Sequence, residues 1–223
     1  MVNSDNRMIR VLLVDDHQVV REGLRALFET EKDIVVVAEA DNGRTAHKLA
    51  LELEPDIVVM DMGMPGLNGV DATRKILERM PDIRVIALSI HCNRLFVVEA
   101  LKAGASGYLV KDCAFEELIR AIRVVMAGQS YLSPEITGIL VEDVARRPED
   151  EAKPRAKSLS GREREVLQLL AEGNSARKIS NMLHISVQTV NTHRQHIMRK
   201  LDLGSVAELT KFAIREGLTS VDS

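Results

Sequence analysis

Residues 9–16 read Ile-Arg-Val-Leu-Leu-Val-Asp-Asp, a short apolar run that ends on two adjacent carboxylates, and residues 56–61, Asp-Ile-Val-Val-Met-Asp, repeat the pattern. Three more β-branched or apolar runs follow at 34–39, 85–88 and 107–110, with helical-period segments near 18–29, 44–53, 69–80, 94–103 and 115–127. Five such strand–helix units predict an α/β domain with a parallel five-stranded sheet, because parallel strands need crossover connections. The strands are apolar almost throughout, as expected when helices cover both faces. Ligands of such folds sit at the carboxyl ends of the strands.

The composition is that of a globular chain: 223 residues, 45% hydrophobic and 28% charged, which excludes wholesale disorder. No apolar stretch approaches the roughly 18 residues of a membrane span, and residues 1–7 offer no secretory signal. Two cysteines, Cys92 and Cys113, make neither a disulfide framework nor a four-ligand zinc site. A cytoplasmic protein is expected. With no Trp and 3% aromatics, the composition argues against extended base-stacking platforms. The net charge of −3 conceals an asymmetry: residues 1–145 hold 16 Lys and Arg against 23 Asp and Glu, while residues 158–223 hold 9 against 7. Between them, residues 146–157 carry two prolines, eight charges and no large apolar side chain, and read as a linker. The expected organisation is a first domain over 8–128, a helix and charged linker over 129–157, and a second domain over 158–223.

The strand ends carry chemistry. The first strand runs into Asp15 and Asp16, the third into Asp61, the fourth into Ser89 and the fifth into Lys111. Three carboxylates on one edge repel one another unless a cation or a shifted pKa relieves them. Oxygen-only ligands suit a hard ion such as Mg²⁺, which takes one or two carboxylates and keeps several waters. Lys111 supplies a point charge for a phosphate oxygen and Ser89 a hydroxyl. One carboxylate is then free to act as nucleophile toward a phosphoryl group.

This set, with Met60-Asp-Met-Gly-Met-Pro-Gly-Leu-Asn-Gly69 around the third strand end, closely resembles a two-component receiver domain over roughly residues 8–128. The resemblance implies a flavodoxin-like sheet and a phosphoacceptor at Asp61. It implies Mg²⁺ held by Asp16 directly, by Asp15 largely through water, by Asp61, and by the Gly63 carbonyl. Lys111 would hold the phosphoryl group, and Ser89 and Tyr108 would form the switch pair. His17 and His91 flank this edge and are expected to be structural or solvated. Met60, Met62 and Met64 are expected to pack.

After residue 128, Ser133-Pro134-Glu135 predicts a helix start before 136–144. Beyond the linker there are no strand signals. Ser160-Gly-Arg-Glu163 and Ser205-Val-Ala-Glu208 fit the capping box, Ser175 and Ser186 are further cap candidates, and Gly173 fits a helix stop, so four helices are expected. At about 100° per residue, with Val190 as origin, Ile197 and Leu201 fall within about 20° and Val187 at about 60°, which defines a packed side. Gln188, Thr192, Gln195 and Arg199 lie between about 140° and 200°, flanked by Asn191 and His196. This face has no acidic residue, and amides, hydroxyls and Arg suit base edges in a major groove.

The phrases Leu159-Ser-Gly-Arg-Glu-Arg-Glu-Val-Leu, Ser186-Val-Gln-Thr-Val190 and His193-Arg-Gln-His-Ile-Met-Arg-Lys-Leu201 resemble a LuxR-type helix-turn-helix, as in NarL/FixJ response regulators. The resemblance implies that 187–201 is the recognition helix, with Asn191, Thr192 and Gln195 as base readers and Gln188 on the same face. Arg177, Lys178, His193, Arg194, Arg199 and Lys200 are implied phosphate contacts. The final helix is implied to pair two such domains.

The expected function is a phosphorylation-controlled transcription regulator. A sensor histidine kinase would phosphorylate Asp61, and the chain, homodimeric when active, would bind double-stranded promoter DNA. Switching a 1:99 equilibrium to 99:1 takes about 5.5 kcal/mol of differential interaction. The receiver is expected to cover the recognition helix until phosphorylated. The competing reading is an Asp-nucleophile phosphotransferase or phosphatase of the haloacid-dehalogenase type. That chemistry uses Asp-x-Asp, and the second position here is Gly63. No Gly-rich ATP loop is present, so the chain is not itself a kinase.

Overall fold

The computed structural model describes residues 8–90, 94–113, 115–145, 159–216 and 218–219. The chain divides into two compact units, 1–141 and 142–223.

In the first unit β1 (Ile9–Val14), β2 (Ile34–Ala40), β3 (Ile57–Asp61), β4 (Arg84–Ser89), β5 (Gly107–Val110) and β6 (Tyr131–Leu132) alternate with α1 (Gln18–Phe28), α2 (Gly43–Leu53), α3 (Gly69–Arg79), α4 (Arg94–Lys102), α5 (Phe115–Met126) and α6 (Pro134–Ala145). The strand order is β2-β1-β3-β4-β5-β6, and every pairing is parallel. The five expected strands are thus joined by a sixth. Two residues are too few to show a period, so β6 exists only through its partner: Gly107 and Tyr108 face Tyr131 and Leu132 in register.

The pleat sends alternate side chains to opposite faces and so divides the core. Leu12, Val14, Val58, Met60, Val85, Ala87 and Tyr108 pack on one side with Ala46 and Ala50 of α2, Ile76 of α3 and Val97 of α4. Ile136 of α6 is fully buried in the same cluster, so the segment after residue 128 is built into this unit. Val11, Leu13, Ile57, Val59, Ile86, Leu88 and Leu109 face the other way, onto Phe28 of α1 and Leu118, Ile122 and Val125 of α5. Burying a side chain of this size contributes about 1.5–3 kcal/mol, and this two-sided burial holds the strand ends in place. Met60, Met62 and Met64 are all buried, as packing residues should be.

The second unit is helical: α7 (Gly161–Ala171), α8 (Ala176–Leu183), α9 (Val187–Leu201) and α10 (Val206–Arg215). The serines Ser160, Ser175, Ser186 and Ser205 each accept a backbone N–H as N-caps, with full capping boxes to Glu163 and Glu208. Each cap stabilises its helix by about 1 kcal/mol. Gly173 takes the left-handed conformation (φ 80°) beyond α7. Val166, Leu169, Leu170, Ile179, Leu183, Val190, Ile197, Leu201, Leu209 and Phe212 form the core. Val187, expected on the packed side, is 40% exposed, because it stands at the first turn of α9 beyond the reach of that core. The charged stretch 146–157 lies outside the described residues.

Candidate functional site

Parallel pairing brings the ends of β1, β3, β4 and β5 to one edge, and backbone hydrogen bonds run up to the residues concerned. Asp15 N donates to Ala40 O (3.1 Å), Met62 N to Leu88 O (2.9 Å) and Lys111 N to Ser89 O (2.8 Å). The loop after Asp61 folds back tightly: a Cβ on Gly69 would lie 2.1 Å from the Asp61 carbonyl oxygen, so only glycine fits there.

Asp15, Asp61 and Ser89 are buried at 1%, 3% and 1% exposure. Lys111 Nζ sits 2.7 Å from Asp15 Oδ2 and 2.9 Å from Asp61 Oδ2, bridging two carboxylates from different strands. Gly63 N donates to the other Asp61 oxygen at 2.9 Å. Burial pushes the Asp61 carboxyl up against the opposing pull of Lys111 and the Gly63 N–H, and a hydrogen bond with Asp16 adds to the rise. Burial by itself would lower the Lys111 ammonium, but the charges of Asp61 and Asp15 overcome it and hold its pKa above the usual lysine value. Tyr108, fully buried on β5, stands three residues before Lys111 on the face that carries Leu12 and Met60.

The donor set fits a hard cation. Asp15, Asp16, His17 and Asp61 each offer one ligand atom, all within 4.8 Å of one another. Asp15 Oδ2 and Asp16 Oδ1 are buried with no donor in hydrogen-bond geometry, although Lys111 and His17 Nδ1 lie within ion-pairing distance. His17 is solvated at the rim of this edge, as expected, with its side chain 69% exposed, its Nδ1 2.9 Å from Asp16 Oδ1 and its backbone N donating to Asp15 Oδ1 at 2.9 Å. His91 lies outside the described residues.

In the second unit Gln188, Thr192, Gln195, His196 and Arg199 are exposed on α9, opposite the buried Val190, Ile197 and Leu201. Asn191, His193 and Arg194 are half-buried on its flanks, and Arg177 and Lys178 are exposed in the first turn of α8. The Thr192 hydroxyl donates to Gln188 O at 3.0 Å, which leaves its lone pairs outward. Lys200 is exposed, with its ammonium 2.7 Å from Glu163 Oε2 on α7.

A doubly wound domain with an acidic edge, followed by a helix-turn-helix, defines a receiver joined to a DNA-binding output. Residues 11–123 match the family described as "Response regulator receiver domain", and residues 157–213 match "Bacterial regulatory proteins, luxR family". Response regulator GacA of Pseudomonas aeruginosa is 40% identical over 216 residues, covering 97% of this chain and all of the relative. Response regulator UvrY of Escherichia coli K12 is likewise 40% identical over 97% of this chain and 98% of its own length. A crystal structure of a LuxR-family two-component response regulator from Aurantimonas is 40% identical, with a TM-score of 0.60 over 62% of this chain and 99% of that one. The chain belongs to the two-component response regulators of the NarL/FixJ class. It is a DNA-binding transcription regulator and not an enzyme, and its two domains imply a sensor kinase and promoter DNA as partners. Among the described residues, no helix is long and apolar enough to cross a membrane.

Proposed function

We propose that Asp61 is the phosphoacceptor through which a sensor histidine kinase controls DNA binding by this chain. The observation that carries the reading is the buried Asp61 carboxylate held 2.9 Å from the Lys111 ammonium beside two further carboxylates. An Asp61 oxygen attacks the phosphorus of a phosphohistidine, the N–P bond breaks, and the pair returns to the imidazole ring. Lys111 leaves its bridge to Asp15 and follows the phosphoryl oxygens. Ser89 donates its hydroxyl to the same group, and Tyr108 repacks beside it.

Asp15, Asp16, Asp61 and the Gly63 carbonyl would hold Mg²⁺, which supplies charge neutralisation for the transferring phosphoryl group. His17, at the rim, orients Asp16. On Asp61 the acyl phosphate carries close to two negative charges where the carboxylate carried one, and it adds three acceptor oxygens, enough to bias a two-state receiver by several kcal/mol.

Phosphorylation then frees or pairs the helix-turn-helix units, with α10 as the pairing helix, and the active chain is a homodimer on promoter DNA. Asn191, Thr192 and Gln195, with Gln188, read base edges in the major groove. Arg177, Lys178 and Arg199 meet phosphates, with His193 and Arg194 at the flank. Residues 146–157 tether the two units, and the chain works in the cytoplasm.

The test combines Mg²⁺ with a small acyl phosphate donor, intact-mass measurement and promoter binding. A phosphoryl adduct that is lost in Asp61→Asn, with tighter DNA binding by the adduct, supports the proposal. Phosphorylation elsewhere, or an adduct without effect on DNA, refutes it.

A further inference from the structure

Two adjacent residues tie the start of α7 to the end of α8, where the turn into α9 begins, and to the last turn of α9. Arg162 Nη2 donates to the carbonyl of Leu183 at 2.8 Å, and its Nη1 to Glu165 Oε2 at 2.6 Å. Leu183 closes α8, so its carbonyl is one of those a helix leaves without an internal donor. The chain leaves that carbonyl through His184 in the left-handed region (φ 51°) and enters α9 at the Ser186 cap. Arg162 thus grips the turn that launches α9. Its neighbour Glu163 accepts the Ser160 N–H at 2.8 Å and the Lys200 ammonium at 2.7 Å, and Lys200 stands in the last turn of α9. Glu163 and Glu165 are both buried, at 5% and 4% exposure. A buried carboxylate left without its partner is costly, so Glu163 and Glu165 hold Lys200 and Arg162 in place.

That geometry bears on recognition. The 15 residues of α9 span about 22 Å, so a tilt of about 10° about one end carries the other by about 4 Å, more than the length of a hydrogen bond. The apolar core fixes the depth of α9 through Val190, Ile197 and Leu201, but apolar contacts are non-directional and leave tilt and rotation loosely set. The two polar anchors, at entry and exit, are directional.

We infer that Arg162 and Glu163 are positioning residues for DNA recognition, clamping the entry and exit of α9 so that Gln188, Asn191, Thr192 and Gln195 are presented in one pose. They act through α9 and touch no base. The inference rests on the reading of α9 as the recognition helix. It assigns Lys200 to the clamp, and it distinguishes Arg162, whose fork serves two acceptors at once, from a lysine that could not reproduce the planar pairing.

The experiment uses the full chain and two probes: a duplex selected by the wild-type chain from a random library, and a scrambled duplex of equal length. R162K, E163Q and K200M are mild enough to retain the core, and K200M tests the exit clamp from the opposite side. Each is expected to lower the selected-to-scrambled affinity ratio about tenfold while leaving the salt slope on the scrambled duplex as in wild type. E163Q combined with K200M should cost no more than either alone, because both break one contact. T192A and Q195A, measured alongside, should lower the same ratio. A ratio that holds within about twofold in R162K and E163Q overturns the inference. So does a parallel loss on both duplexes with a slope flatter by about one, which would make these residues phosphate contacts. A ratio unmoved by T192A and Q195A but lowered by the clamp variants removes the base-reader assignment and leaves the clamp standing.

Discussion

The backbone N–H of Ser133 donates to the carbonyl of Tyr108 at 3.1 Å, which ties the segment leading out of the receiver to the strand that carries Tyr108 and Lys111. Leu132 lies beside Tyr108 in register, and Leu132 packs on the same core cluster as the Tyr108 ring. Leu132→Ala is expected to destabilise the first unit by about 1–2 kcal/mol, less than a fully buried leucine would cost. Urea unfolding checks the magnitude. Tyr108→Leu, which removes the ring, should still accept a phosphoryl group by mass but lose the phosphorylation-dependent gain in DNA affinity; an undiminished gain would remove Tyr108 from the switch.

Lys111→Met leaves the buried carboxylates of Asp15 and Asp61 without their shared cation. Stripping one partner from a buried ion pair costs about 3–5 kcal/mol. The variant should therefore melt well below wild type in chelator and recover with Mg²⁺, showing a larger Mg²⁺-dependent thermal shift than wild type. Equal shifts in the two proteins would contradict the mutual repulsion argued for this edge.

Gly69→Ala would place a methyl group 2.1 Å from the Asp61 carbonyl oxygen. Neither side can yield cheaply, since both are backbone. A loss of about 1–3 kcal/mol or more is expected, with slower phosphoryl acceptance because the Asp61 loop must shift. Denaturant unfolding and timed mass measurement read the two effects separately.

Burial alone would raise the Glu163 carboxyl, but the Lys200 ammonium and the bonds from Ser160 outweigh it and hold the pKa at about 2. A carboxylate with a depressed folded pKa stabilises the native state above its unfolded value, and that contribution is lost as pH falls. The window here runs from about pH 4.5 down to about pH 2. The contribution is about 1–2 kcal/mol once solvent screening of the half-exposed Lys200 is allowed for. Carboxyl-carbon NMR titration should report the low value in wild type and a rise toward the ordinary range in Lys200→Met. Glu163→Gln should flatten the acid limb of unfolding for the helical unit.

Arg199→Ala should weaken binding to every duplex and flatten the salt slope by about one. Thr192→Ala and Gln195→Ala should instead relax sequence preference with the slope intact. A uniform loss in all three, measured by titration at several salt concentrations, would dissolve the division between base readers and phosphate contacts.

What the amino-acid order determines by itself is whatever depends on neighbours a few residues apart. The apolar runs ending in Asp15-Asp16 and Asp61, the serine caps with Glu163 and Glu208, Gly173 at a helix stop, and the Gln188–Thr192–Gln195 face are all short-range patterns with fixed periods. So the parallel sheet, the four helices and the residues at the strand ends are legible. The tertiary structure alone decides what depends on which distant segments meet. The strand at Tyr131–Leu132 has no period to betray it and forms because Gly107 and Tyr108 present an open edge. Lys111 bridges Asp15 and Asp61 through pairings the chain closes only when folded. Lys200 pairs with Glu163, 37 residues away in sequence. Charge is visible in a sequence, but the partner that neutralises it is chosen by distance, and distance between remote residues exists only once the core has packed.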